Sequence, residues 1–214
     1  MEDKLLKELW KAQDEKLEKS LQLNLHLLDT LQKDKAKSKL DKLARFKSIV
    51  VFLGLVWCAF LGVLIWGNDF KNMYFEVSVI IILLFNLYAC IAYIQQIIFI
   101  KRLDYSDSII NTQKKLADLQ VSTITITRNL LLQTPFYSTW FYTHKLVMHD
   151  SHFQLISFTA TFIFILATIW LYKNVSIKNM HKKWFLAFMN VGPEYKSITE
   201  AMDFLAEIEE FEKG

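Results

Sequence analysis

Cysteine, proline and glycine are all scarce in this chain: two, two and five among 214 residues. Cys58 and Cys90 each lie inside an apolar block. They offer no disulfide framework or metal-ligand set, and suit small buried hydrophobes. So few glycines and prolines remove the turn punctuation that cuts an all-β chain into short strands, so an all-α fold of long helices is the simpler construction. A formal net charge of +3 is too small to mark a nucleic-acid surface. The chain has no Gly-rich phosphate loop, nucleophile elbow or paired-His metalloprotease motif. No catalytic residue, cofactor site or metal site is therefore assigned, and the expectation is a non-enzyme. Residues 1–47 alternate charge with leucine instead of placing a basic stretch before an apolar run, so the first apolar segment is read as an uncleaved anchor and not as a signal peptide.

What the chain has in abundance is apolar residues, 53% of the total, gathered into blocks. Residues 48–66 and 77–100 carry no charge, and neither does the block over 153–172, which ends on Trp170 and Tyr172. A bilayer core of about 30 Å needs about 20 helical residues, so each of these is read as a transmembrane span. A fourth segment, 129–148, is aromatic and apolar but holds Pro135, several hydroxyls, His144 and Lys145. Charge decides how to count it. With four spans, the regions 1–47, 101–128 and 173–214 share one side and hold twelve, five and six Lys or Arg, against Lys71 and Lys145 on the other. Basic residues resist translocation, so the expectation is a four-helix transmembrane domain over 48–172 with both termini cytosolic. A re-entrant or interfacial third segment is the alternative, because Pro135 can break a helix where neighbours shelter its backbone.

The cytosolic parts read as amphipathic helices. Leu6, Trp10, Leu17, Leu21, Leu28 and Leu31 are spaced so as to line one face of an N-terminal helix, with Asn24 on the same stripe as a register-selecting polar group. Residues 101–128 are expected to extend the second and third spans as a helical hairpin below the membrane, with Ser106 or Ser108 as cap, although VSTITIT at 121–127 also suits an extended strand. The tail opens with a basic, aromatic stretch suited to the headgroup region. Ser197 and Glu200 have capping-box spacing, which predicts a helix over 197–213. On it Ile198, Met202, Leu205, Ile208 and Phe211 share a face whose surround is strongly acidic. That face should dock onto protein, either the basic N-terminal helix or a basic partner. The partner-binding residues proposed from sequence are Leu6, Trp10, Leu17, Leu21, Leu28, Met202, Leu205, Ile208 and Phe211.

Two polar groupings are weighed and set aside. His144, Lys145, His149, Asp150 and His152 resemble no zinc spacing and read as a solvated loop. Asn86, Gln95 and Gln96 in the second span read as packing contacts between helices. No charged residue lies in the middle of a predicted span, so the ionisable relay of a pump is missing.

The stretches LWKAQDEKLEKSLQLN (9–24), DKAKSKLDKL (34–43), LDYSDSIINTQKKLADLQ (103–120) and AMDFLAEIEEFEK (201–213) resemble a family of small bacterial membrane proteins often encoded beside an extracytoplasmic-function-type sigma factor. The resemblance covers nearly the whole length and implies regulation of that neighbour. The small zinc-binding helical motif of many anti-sigma factors is not present here. The expected function is a membrane-anchored regulatory or scaffold protein of the bacterial inner membrane that recruits or sequesters a cytosolic protein through its helices. Self-association into a homo-oligomer is compatible with this. The alternative is a small pore or transporter subunit.

Overall fold

The computed structural model describes residues 2–68, 71–105 and 107–213, with side chains described for all of these except 2–6, 8, 9, 209 and 211–213. Every regular element among the described residues is helical. The first, α1 (Glu2–Asn68), runs unbroken for 67 residues, about 100 Å at helical rise. Its first glycine is Gly54 and it contains no proline, so nothing in the sequence interrupts it at the boundary between charged and apolar halves. Local bonds reinforce it, such as the Lys33–Asp29 ion pair one turn apart. The cytosolic N-terminal helix and the first span of the sequence reading are therefore one element.

After a short turn, α2 (Met73–Lys101) returns antiparallel to α1. Asn68 meets Glu76 at one end of this hairpin, Leu61 packs with Val79 and Ile82 midway, and Lys47 lies under the Tyr93 ring toward the other end. Gly54 permits the close approach: a Cβ there would sit 2.9 Å from the Cys90 sulfur. Next comes α3 (Ile109–Leu130), capped by Ser108, whose Oγ accepts from the Asn111 amide. The VSTITIT stretch is helical throughout.

The segment expected to form one helix over 129–148 is instead in pieces. It comprises the end of α3, a 3-10 turn at Leu131–Gln133, α4 (Phe136–Thr139) and α5 (His144–His149). Pro135 lacks an amide hydrogen, and the Ser138 and Thr139 hydroxyls donate back to the Pro135 and Phe136 carbonyls, competing with regular helix. Even so, α3 and this broken segment together follow α2 for most of its length. Gln96 bonds Ser122, Tyr88 bonds Asn129, Asn86 bonds Gln133, Ser78 bonds Thr139 and Asn72 bonds the Tyr142 carbonyl. Then α6 (Ser151–Asn174) runs back alongside: Tyr142 Oη donates to the Ser157 carbonyl at 2.8 Å and Arg128 stacks on Tyr172.

Parts of α1, α2 and α6 are long and apolar enough to cross a membrane. Their outward faces carry exposed Phe, Ile, Leu and Val, including Phe52, Val63, Leu84, Ile91, Phe162 and Ile163. That is the surface lipid would cover. The short α7 (Lys183–Met189) buries Phe185 against Ile124, Val175 and Tyr195. The last helix, α8 (Pro193–Lys213), starts four residues before the predicted 197. Proline at the first helical position is preorganised in φ and loses no needed bond, so Ser197 lies inside the helix and is not its cap.

Candidate functional site

The charged halves of the chain gather into one helical bundle. Ala36, Leu40, Leu43 and Ala44 of α1 meet Ile100 and Leu103 at the end of α2, Leu116 and Leu119 of α3, and Ile198, Ala201, Leu205 and Ile208 of α8. Burying a side chain such as Leu205 or Ile208 in this way contributes about 1.5–3 kcal/mol. The direction of α8 is fixed by its pairings along α1: Glu194 with Lys47 at 2.8 Å, Glu200 with Lys39 at 2.6 Å, and Glu207 accepting from Gln32 Nε2. The acidic flank of α8 thus lies along the basic stretch of α1. Lys39 holds the Glu200 carboxyl below the usual carboxylate range, and Lys115 does the same for Asp107.

Lys47 is the most enclosed charge among the described residues. Its side chain is fully buried, with Glu194 as ion partner and the Tyr93 ring 4.2 Å from its ammonium nitrogen. Burial pushes its pKa down, while the neighbouring Glu194 carboxylate pushes it partly back up. It marks the level at which the bundle meets the apolar helices. Tyr105, packed beside the same bundle, has its phenol pushed up to about 12, by burial first and by Asp41 second.

The residues proposed from sequence separate into two sets. Leu205 and Ile208 are buried and Met202 is partly buried against the chain's own core. Leu28 is half-buried near the far end of α8. Trp10, Leu17 and Leu21 are exposed, at 67%, 66% and 56%. Leu6 and Phe211 lie outside the described side chains. The open set continues through Leu23, Leu27 and Leu31, all exposed, and Asn24 is exposed among them. The arm formed by the first 27 or so residues of α1 projects beyond the bundle by about 40 Å at helical rise.

The polar cluster near 144–152 does not converge. Asp150 is spent as the cap of α6, accepting from the Phe153 amide at 2.9 Å, and His144, His149 and His152 are exposed. Among the described residues no three His, Cys, Asp or Glu side chains gather in a metal-holding group. Asn86 and Gln96 bond across helices. Asn86 donates to Gln133 Oε1 and Gln96 donates to the Ser122 and Thr123 hydroxyls.

Sequence reasoning missed Glu76. It is 1% exposed, and one carboxylate oxygen accepts from Asn68 while the other has no partner. Its place in the first turn of α2 is the one signal available, since the positive end of a helix dipole favours a carboxylate there. The burial of Lys47 was equally invisible, because it needs Glu194 and Tyr93 brought from distant parts of the chain.

No protein-family model, curated protein or solved structure matches the chain. Its class rests on the fold: an all-helical protein with three helices long and apolar enough to cross a membrane.

Proposed function

We propose that this chain is a non-enzymatic membrane scaffold, or regulator, that recruits or sequesters a soluble protein on the exposed leucine face of its α1 arm. In this reading the chain crosses the bacterial inner membrane four times with both ends cytosolic. Support for the even count comes from packing. Ala36 to Ala44 of α1 and Ile198 to Ile208 of α8 bury one common core, which supports a reading in which both lie on the same side of a bilayer. Three apolar helices alone would separate them. The broken segment beside α2 then supplies the fourth crossing, its irregular backbone sheltered between α2 and α6 as non-helical backbone at membrane depth must be.

The observation that carries the functional reading is the exposure of Trp10, Leu17 and Leu21 on one face of the α1 arm, where every side chain from Trp10 to Asn24 is exposed. The acidic helix α8, by contrast, spends its apolar face on the chain's own core. Apolar patches left open on one face of a helix mark interaction surfaces. A sigma factor encoded beside this chain is the first partner to test. Asn86 and the Gln96 amide nitrogen bond between helices, whereas Gln95 and Gln96 line a cavity of about 400 Å³, so a pore or transporter subunit stands as the second reading.

Photo-crosslinkers installed at Leu17 and Leu21, which share a face, in the full-length chain, in cells, test this. The expected result is an adduct with a different cytosolic protein that a probe at the exposed Lys37, inside the bundle region, does not give. Adducts only with further copies of this chain would replace recruitment by self-assembly.

A further inference from the structure

We propose that the groove between α2 and α3, at the end of the apolar helices nearest the charged bundle, binds an organic ammonium group. A cavity of about 400 Å³ opens there, lined by Tyr88, Gln96, Phe99, Asp118, Ser122 and Thr125 among others. Ligand sites of this kind span roughly 300–1,000 Å³ and combine apolar walls with a few placed polar groups. Gln96 is 4% exposed, and its amide nitrogen is committed to the Ser122 and Thr123 hydroxyls at 2.9 and 3.3 Å. Its carbonyl oxygen Oε1 is buried with no partner. Buried acceptors are rarely left so, and a donor is the missing complement. Asp118 stands in the same groove and enters none of the ion pairs or hydrogen bonds among the described residues. The Tyr88 hydroxyl already accepts from Asn129.

The groove therefore presents the Asp118 carboxylate beside the rings of Tyr88 and Phe99, with the enclosed and unpartnered Gln96 oxygen in its wall. That set is complementary to a group carrying N–H donors and positive charge, which ring faces also attract. An anion would meet Asp118, and a plain acyl chain would leave Gln96 unsatisfied. The larger cavity at the opposite end, about 910 Å³ beside Ser78, Thr139 and Tyr142, offers no such signal. Its hydroxyls pair with one another. The ammonium has two possible sources, a lipid headgroup or a soluble amine. An adjoining cavity of about 330 Å³ shares Gln95 and Phe99 with the first and carries Arg102, placed to take the phosphate of an aminophospholipid, while Lys115 beside it is paired with Asp107 at 2.8 Å.

Native mass spectrometry of the full-length protein with phosphatidylethanolamine or phosphatidylglycerol, together with calorimetric titration of soluble ethanolamine, decides the matter. The expected result is at least tenfold stronger retention of phosphatidylethanolamine, lost in Asp118→Asn and reduced in Gln96→Leu. Ethanolamine binding with the same dependence on Asp118, without lipid preference, would support the site and assign a soluble source. Equal retention of both lipids without ethanolamine binding, no binding of any of the three, or binding unchanged in Asp118→Asn would overturn the proposal. Because Asp118 is exposed, its variant should melt with the wild type, which separates loss of binding from loss of fold.

Discussion

Lys47 and Glu194 illustrate how a buried charge is tolerated at the rim of an apolar bundle. Removing an ion from water costs several kcal/mol, and the attraction of a partner offsets this only when geometry is close. Here the contact is 2.8 Å and an aromatic face covers the ammonium. Lys47→Met leaves Glu194 partly enclosed without its counterion. We expect a loss of about 2 kcal/mol, less than the 3–5 kcal/mol of a fully buried pair because Glu194 keeps some contact with water. Thermal melting in detergent should show that loss, and Lys47→Met combined with Glu194→Leu should recover most of it. A double variant no better than the single would mean that the lysine stem, and not the pair, carries the stability. A second site of the same scale is Gly54. An added methyl would come within 2.9 Å of the Cys90 sulfur, on a short side chain with little room to yield. Gly54→Ala should cost about 1–3 kcal/mol by overpacking, and Cys90→Ala in the same chain should relieve it.

At the scale of elements, α8 and the α1 arm respond oppositely to substitution. Leu205→Ala, in the core shared with α1, should destabilise by about 2–5 kcal/mol. Trp10→Lys, Leu17→Lys and Leu21→Lys should each stay within about 0.5 kcal/mol of the parent, as exposed positions do, while abolishing the crosslinked partner. The docking of α8 should also depend on pH. Lys39 depresses the Glu200 pKa, so the pair's contribution is present above the ordinary carboxylate value and is lost as pH falls through the depressed one. Acidification from pH 7 to about 3 should lower the melting midpoint more in the wild type than in Glu200→Gln, by a modest amount because the pair is largely solvated.

Much of this organisation was legible in the residues. Uncharged runs announced the apolar helices, the leucine spacing announced the amphipathic ones, and the acid–base contrast anticipated α8 against α1 as one of two dockings. The piecewise segment around Pro135 was visible only as an alternative, because its hydroxyl-rich pieces find their bonds on α2 and α6, which local pattern does not reveal. The burial of Glu76, Lys47 and Gln96 was not legible at all, since each depends on neighbours far away in the chain.

At the scale of the whole molecule, the long α1 links the two halves of the account. Its apolar half is held by α2, its basic half by α8, and the remainder projects with its leucines uncovered. Recruitment of a cytosolic partner requires that this projection, and α8 with it, lie inside the cell. Labelling of intact cells with a membrane-impermeant thiol reagent measures that directly, using the full-length chain with single cysteines placed by Trp10→Cys, Lys145→Cys or Glu210→Cys. Native Cys58 and Cys90 are buried and should stay unlabelled. The four-pass account predicts labelling at position 145 in intact cells, and at 10 and 210 only after permeabilisation. Labelling at 10 or 210 in intact cells, or protection at 145, would contradict it.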